Sequence, residues 1–244
     1  MIDVKENFQF TNESIKNICD EFGRKFEDII LVAVSKTVEL ERIKAAIDAG
    51  ARILGENRVQ EAEQKYETVK NYAEQKNIEK IKWHLIGHLQ TNKSKKAVRI
   101  FDLIHSVDSL ELLRDLNRHA KDFGKIQNVL IQVNTSGEGT KSGLEYSKVV
   151  SFFEEIAKAQ EVYCSNIKIQ GLMTIGPLST DRNIVNDCFA KTHKLFLEIQ
   201  GKFNMHQMHL LSMGMSSDYD LAIKNGANII RIGSKIFGER NYIQ

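Results

Sequence analysis

Proline, cysteine and tryptophan are scarce in this chain of 244 residues, which has one proline, three cysteines and one tryptophan. With a single proline and no low-complexity stretch, nothing marks a linker between domains. The cysteines are odd in number and fit no metal-ligand spacing, so we expect no metal site and reduced thiols that pack in the interior. No apolar run approaches the roughly 20 residues of a membrane helix, and the first residues lack the pattern of a signal peptide. We therefore expect a cytoplasmic protein with no membrane partner.

An excess of either charge is lacking too, because 34 Lys and Arg residues face 32 Asp and Glu residues, a formal net charge of +2. This balance gives no general reason to expect nucleic acid as a partner. The basic run at residues 91–99 has no interleaved aromatics, and we interpret it as a solvated helix face. The composition is that of an ordinary globular protein, and the length suits one α/β barrel as well as two domains. We expect a single domain over residues 1–244.

Short apolar runs alternate with polar, helix-like stretches along the chain. In the stretch 39–50, for example, Leu40, Ile43 and Ile47 share one helical face and Gly50 ends the pattern. Alternation of this kind predicts a parallel sheet, and eight repeats predict a fold of the α/β class, a single (β/α)8 TIM-type barrel over residues 29–240. An extra N-terminal helix is expected at 6–26, and an open doubly wound sheet is the structural alternative. The eight predicted strands are 29–34, 52–54, 82–86, 101–105, 128–133, 167–173, 208–212 and 228–232.

A lysine stands just beyond the first predicted strand, in the stretch IILVAVSKT. Val32, Val34 and Lys36 have the same parity, so their side chains should point together into the barrel mouth. The functional face of such a barrel is built where its strands end, and an amine placed there can act as a nucleophile. The alternative is a lysine at the rim that keeps its charged head in solvent.

Two glycine- and serine-rich corners follow the seventh and eighth predicted strands, SMGMSSD at 212–218 and RIGSKIFG at 231–238. Phosphate sites in these barrels often use the loops after strands seven and eight, where small residues let backbone N–H groups approach an anion. Ordinary turns or helix caps are the alternative. Arg231 shares its parity with Ile229 and Gly233, so a guanidinium is expected among apolar residues, either facing a ligand or paired with a core acid.

An amine, a phosphate-binding corner and a cationic donor at one end of a barrel are what a phosphorylated aldehyde requires. Pyridoxal 5′-phosphate (PLP) is such a compound, with Lys36 as its Schiff-base lysine and Arg231 facing the pyridine nitrogen. The chain also resembles the PLP homeostasis proteins, which are PLP-binding barrels of the alanine racemase-like fold. The matching segments are AVSKT (33–37), GENRVQE (55–61), WHLIGHLQTNK (83–93), NTSGEGTKSG (134–143), GLMTIG (171–176), HLLSMGMSSDYDLAI (209–223) and RIGSKIFGER (231–240).

This resemblance implies a role in intracellular PLP (vitamin B6) homeostasis, with the cofactor held covalently on Lys36 and no robust catalysis. It also implies a set of cofactor-binding residues. Phosphate contacts are implied for Ser212, Met213, Gly233 and Ser234, a ring contact for Arg231, and a place in the pocket lining for Asn57 and Met173.

Two other functions compete with this one, a PLP-dependent enzyme such as an amino-acid racemase and a cofactor-free Schiff-base aldolase. Racemisation needs acid/base groups on both faces of the cofactor. In racemases of this fold one of these groups comes from a second domain, and we expect no such domain after the eighth predicted strand. The aldolase hypothesis leaves Arg231 without a task. We expect no catalytic residues and a monomer that contacts apo PLP-dependent enzymes transiently, and we interpret His84, His88 and His105 as hydrogen-bonded structural histidines.

Overall fold

Eight parallel strands close into a barrel in the computed structural model, which describes residues 3–139 and 141–239. Each strand of the ring pairs with the next along the chain, and the last pairs with the first, so the predicted (β/α)8 barrel is confirmed. An open sheet would leave two free edges, and the pairing of β4 with β5 removes them. The ring consists of β1 (Ile30–Val34), β2 (Ile53–Glu56), β3 (Lys82–Leu85), β4 (Leu103–Val107), β5 (Gln127–Asn134), β7 (Ile167–Met173), β8 (Leu210–Ser212) and β9 (Ile229–Ile232). The two-residue strand β6 (Leu144–Glu145) pairs with the end of β5.

Helices surround the ring and connect its strands. They are α1 (Val4–Glu21), α2 (Leu40–Asp48), α3 (Val59–Gln75), α4 (Ser94–Ile100), α5 (Leu110–Asp122), α6 (Val149–Lys158), α7 (Gln160–Cys164), α8 (Arg182–Lys202), α9 (Tyr219–Lys224) and α10 (Ser234–Phe237). Among the described residues, no helix has both the length and the apolar character needed to cross a membrane.

The expected N-terminal helix is present as α1, which begins two residues earlier and ends five residues earlier than 6–26. A 3-10 turn, Phe26–Asp28, then leads into β1. The buried side chains of α1 recur every three or four residues, and the helix packs against α2, α9 and α10. Both ends of the expected domain 1–244 and the expected barrel end at residue 240 lie outside the described residues, as does Thr140 of the segment 134–143.

The core has two layers, as expected for a barrel wrapped in helices. Val32 belongs to a small cluster that fills the barrel, while its neighbour Ala33 packs in the larger cluster between the strands and the helices. This alternation confirms the parity expected for β1. The barrel-filling cluster consists of Val32, Leu103, Leu130, Met173, Leu210 and Ile229.

β7 and β8 approach each other closely at Gly171. A Cβ atom there would lie 1.6 Å from the carbonyl oxygen of Leu210, a distance no side chain tolerates. The resulting register sets Met173 opposite Ser212, so both strands end at one level of the barrel. The glycine thereby helps to place the loops that build the functional face.

The three cysteines lie apart and form no disulfide. Cys19 and Cys188 are buried and Cys164 is half-buried, which confirms the expectation of packing thiols. Burial raises the pKa of Cys164 and of Cys188 to about 11, so neither is a thiolate at neutral pH.

Candidate functional site

A cavity of about 840 Å³ opens at the carboxyl ends of the barrel strands. Five of the residues expected from the sequence line it together, although they belong to three different strands or to the loops that follow them. They are Lys36, Asn57, Arg231, Gly233 and Ser234. The cavity is therefore the place where a ligand would meet the predicted amine, guanidinium and glycine-serine corner at once.

Lys36 reaches the cavity from a tight turn at the end of β1. The carbonyl of Ser35 accepts a hydrogen bond of 3.1 Å from the N–H of Val38, which closes the turn. Val34 lines the cavity beside Lys36, as their shared parity predicts. Lys36 is half-buried, so its amine stands at the boundary between the barrel interior and the mouth.

Asn57 is held in the cavity wall by close packing against Gly87 of the loop after β3. A Cβ atom on Gly87 would lie 2.4 Å from the carbonyl oxygen of Asn57, so a larger residue would displace the asparagine. Both residues line the cavity.

The two glycine- and serine-rich corners meet at one side of the cavity. The N–H of Gly233 points at the hydroxyl of Ser216, at 3.4 Å, and Ser217 and Ser234 line the same wall. Hydroxyls and a backbone N–H converging from two loops suit the oxygens of a phosphate group. The sequence indicated residues 212–218 as one corner but assigned no ligand contact to Ser216 or Ser217.

Arg231 is buried, with 4% of its surface exposed, yet its guanidinium contributes to the cavity wall. One nitrogen donates 2.6 Å to the hydroxyl of Ser212, and another donates 2.9 Å to the carbonyl of Thr174. Among the described residues, no carboxylate lies within ion-pair distance, so the paired core acid is not found. A guanidinium has five N–H donors, and those not used by Ser212 and Thr174 are available to a ligand.

The charge of Arg231 persists at neutral pH. Burial lowers its pKa to about 10, and the more distant carboxylate of Asp218 opposes this shift. Burial in turn raises the pKa of Asp218, whose side chain accepts a hydrogen bond from the N–H of Met215. A ligand therefore meets a charged, partly satisfied donor.

Ser212, Met213 and Met173 lie behind the cavity wall rather than in it. The Ser212 hydroxyl is occupied by Arg231, and the N–H of Met213 donates 3.1 Å to the carbonyl of Ile229. Met173 packs in the barrel-filling cluster. The phosphate contacts expected of Ser212 and Met213, and the lining role of Met173, thus stay predictions, and the geometry gives Ser212 a different partner.

Two buried histidines continue the contacts of Ser212 into the barrel. Nδ1 of His105 lies 3.0 Å from the Ser212 hydroxyl, and Nε2 of His105 lies 3.0 Å from Nδ1 of His84. Burial lowers the pKa of His84 to about 4 and that of His105 well below its ordinary value. Both rings are hydrogen-bonded, as expected, and burial favours their neutral forms, while their structural rather than catalytic role stays a prediction.

His88 differs from this pair because it is exposed at the cavity rim. Its Nδ1 lies 3.6 Å from a carboxylate oxygen of Asp108, an acid neighbour that the sequence spacing does not reveal. Three further lining residues come from the loop after β5 and the strand itself and were also missed. They are Gln132, Lys141 and Ser142.

Comparison with known proteins identifies the family to which the chain is similar. Residues 14–241 match the family model described as alanine racemase, N-terminal domain. The chain is 40% identical over 230 residues to the pyridoxal phosphate homeostasis protein of Aquifex aeolicus, a match that covers 94% of this chain and 95% of that protein. It is 36% identical to the protein of the same name from Vibrio alginolyticus, over 99% of this chain and all of that one.

Solved structures agree with this assignment. PipY of Synechococcus elongatus with PLP bound is 34% identical, with a TM-score of 0.74 over 92% of this chain and 99% of that chain. An alanine racemase of Clostridium difficile, at 16% identity, has a TM-score of 0.73 over 98% of this chain and 58% of that chain, which shows a shared fold. The chain therefore belongs to the pyridoxal phosphate homeostasis protein family, on an alanine racemase-like barrel.

Proposed function

We propose that this protein binds PLP in the 840 Å³ cavity, holds it covalently through Lys36, and serves intracellular PLP homeostasis without robust catalysis. The observation that carries the proposal is the shared cavity, in which the Lys36 amine, the Arg231 guanidinium and the Ser216–Gly233–Ser234 corner open onto one space. Relatives of nearly the same extent bear the name of homeostasis proteins, and PipY has been solved with PLP bound.

The donor set of the cavity fits PLP group by group. The hydroxyls of Ser216 and Ser234 and the N–H of Gly233 would hold the phosphate. Arg231 would donate to the ring nitrogen, and Lys36 would bond to the aldehyde carbon as a Schiff base. When bound, PLP supplies an electrophilic carbon and an electron-withdrawing ring. An arginine does not keep the ring nitrogen protonated, so that withdrawal is weak, which suits a carrier.

Racemase-like catalysis is the alternative, because the barrel shares its fold with an alanine racemase. Racemisation needs an acid and a base on opposite faces of the cofactor. Apart from Lys36 and Arg231, the titratable groups among the described lining residues are those of His88, Lys141 and Glu239. The amine of Lys141 is held by Glu138 and by the carbonyl of Gly176, each at 2.8 Å, which leaves His88 and Glu239 as candidates for an acid or a base. Both of these side chains are exposed, whereas the relatives of nearly the same extent are named as homeostasis proteins. We rank the carrier first.

The proposal also covers where and how the protein acts. We place it in the cytoplasm, where free thiols such as those of the three cysteines persist. We infer a monomer, one PLP-binding barrel over the whole chain, that passes PLP to apo PLP-dependent enzymes by transient contact.

Transfer of the cofactor is the decisive experiment. Purified protein loaded with PLP is mixed with an apo PLP-dependent enzyme, and recovery of that enzyme's activity is followed against free PLP at the same concentration. We expect recovery, with a rate that changes in Lys36→Ala. The opposing result is turnover of a panel of amino acids at rates on the order of one per second or faster, abolished by Lys36→Ala. That result would support the racemase-like function instead of the carrier function.

A further inference from the structure

A buried ion cluster lies beneath the turn that carries Lys36. Lys65 of α3 donates to Glu56 at 2.9 Å and to Glu61 at 2.7 Å. The side chains of Lys65 and Glu56 are 11% and 0% exposed, and that of Glu61 is 21% exposed. Taking three charges out of water is costly unless their hydrogen bonds are well made. One oxygen of Glu56, Oε2, has no hydrogen-bond partner among the described residues. A buried ion cluster of this kind is weak evidence of a gain in stability, because apolar replacements are often neutral or stabilising.

The remaining hydrogen bonds of the cluster go to the residues on either side of Lys36. Lys65 donates 2.7 Å to the backbone carbonyl of Ser35, and the hydroxyl of Ser35 donates 2.7 Å to Glu56. On the other side, the carboxylate of Glu61 accepts a hydrogen bond from the backbone N–H of Thr37. The cluster therefore fixes the backbone immediately before and immediately after Lys36.

The backbone that Glu61 holds is strained. Thr37 has a φ of +60°, a left-handed conformation that disfavours a β-branched side chain. The other non-glycine residues described with positive φ are Asn77 and Asn204, and asparagine tolerates this conformation. Strain of this kind persists only where neighbouring contacts over-determine it. Three contacts hold Thr37 here: its N–H donates to the Glu61 carboxylate, its hydroxyl donates to the carbonyl of Lys36, and the Val38–Ser35 hydrogen bond closes the turn. Of these, only the first comes from outside the turn.

We propose that Glu61 and Lys65 are positioning residues for Lys36, acting through the backbone of Thr37 and Ser35. This inference rests on the proposed function. In the reaction they serve, the unprotonated Nζ of Lys36 forms a bond to the aldehyde carbon of PLP, the nitrogen loses its two protons, and the carbonyl oxygen leaves as water. The held turn aims Nζ at that carbon, and misplacing a reacting atom by about 1 Å costs on the order of 100-fold in rate.

Substitution of Glu61 tests the inference, with two ligands that separate bond formation from binding. PLP reports imine formation through its absorbance, and pyridoxine 5′-phosphate keeps the ring and the phosphate but has no aldehyde. In Glu61→Ala the Thr37 N–H loses its acceptor, whereas Glu61→Gln retains a carbonyl oxygen there. Glu63→Ala is the matched control, because Glu63 lies on the same helix and pairs with Lys96 at the surface.

We expect Glu61→Ala to slow imine formation by about 10- to 100-fold while pyridoxine 5′-phosphate binds as in the parent. Glu61→Gln should recover most of the rate, and Glu63→Ala should keep all of it. Adding Thr37→Gly to Glu61→Ala should also restore the rate, since glycine adopts a positive φ without support. This second variant covers the case in which Glu61→Ala folds poorly.

Imine formation at the parental rate in Glu61→Ala would overturn the inference. It would also be overturned if the variant bound pyridoxine 5′-phosphate more weakly by the same factor as its imine formation slowed. Failure of the proposed function is distinguishable, because the parent protein itself would then form no imine with PLP.

Discussion

The guanidinium of Arg231 donates a 2.6 Å hydrogen bond to the hydroxyl of Ser212, so the partner of this buried cation is a neutral hydroxyl and not a carboxylate. The hydroxyl is in turn 3.0 Å from the neutral ring of His105. Because no described anion neutralises Arg231 at contact distance, its charge is available to the cavity. Ser212 thus orients the donor that would face the cofactor ring.

Ser212→Ala should weaken PLP and pyridoxal by the same factor, about tenfold. The hydroxyl acts through Arg231, and Arg231 would contact the ring, which both compounds contain. Titration of each compound, followed by absorbance, measures the two affinities, and Ser212→Thr, which keeps a hydroxyl, is the control. A loss confined to PLP would instead make Ser212 a direct phosphate ligand, as the family resemblance implies.

Ser234→Ala should show the opposite selectivity, because Ser234 lines the cavity at the glycine-serine corner. Removing a hydrogen bond to a charged group costs about 1.5–3 kcal/mol, so PLP should bind about 10- to 100-fold more weakly. Pyridoxal, which lacks the phosphate, should bind the variant and the parent equally. Ser216→Ala is expected to behave in the same way. Equal losses for both compounds would remove these serines from the phosphate site.

The sequence predicted the barrel and the inward face of its first strand because a period-2 pattern of side chains is local. The shared parity of Val32, Val34 and Lys36 sufficed to place Lys36 at the mouth. Boundaries shifted by one or two residues, as at β2, where the strand continues to Glu56 beyond the apolar run. Pairing with β3 holds that extension, and pairing is not visible in a single segment.

Contacts between segments that are far apart along the chain could not be predicted from the sequence. Ser212 and His105 are 107 positions apart, and their hydrogen bond exists only because the ring of strands brings β8 and β4 to face each other across the interior. Likewise, the sequence indicates only that Lys65 is a polar residue of a helix. The structure shows that its amine donates to the carbonyl of Ser35, next to Lys36. Sequence spacing reveals which residues share one face of a strand or helix. Which residue a side chain contacts across the barrel interior depends on how the strands close into the barrel.

Acid should destabilise the protein through its two buried histidines. In the unfolded chain an imidazole takes up a proton near pH 6.5, whereas burial lowers the pKa of His84 to about 4 and that of His105 well below 6.5. The contribution of these neutral, buried imidazoles to the free energy of unfolding is fully present above pH 6.5. It is lost as the pH falls from there towards the pKa values of the folded protein. Each histidine should reduce the free energy of unfolding by up to about 1.4 kcal/mol per pH unit below that point.

Urea unfolding at pH 7, 6 and 5 measures this slope. The range stops at pH 5 because burial raises the pKa of Asp108 and of Asp218, which shifts the slope in the opposite sense at lower pH. His84→Gln should flatten the slope, and the exposed His206→Gln should leave it unchanged. A parental slope in His84→Gln would show that its imidazole is not the group responsible.

Lys36 should be the residue that carries PLP after chemical reduction. Borohydride converts an imine into a stable amine, so peptide mapping of the reduced protein should find the pyridoxyl mass on the peptide that contains Lys36. Lys235 serves as the internal control, since it belongs to the same end of the barrel but its amine lies 3.4 Å from the hydroxyl of Tyr219, outside the cavity lining. Lys36→Ala should lose the imine absorbance and keep weak binding through the phosphate corner, measured with pyridoxine 5′-phosphate. Label on Lys235, or imine absorbance that survives in Lys36→Ala, would move the covalent site to another amine.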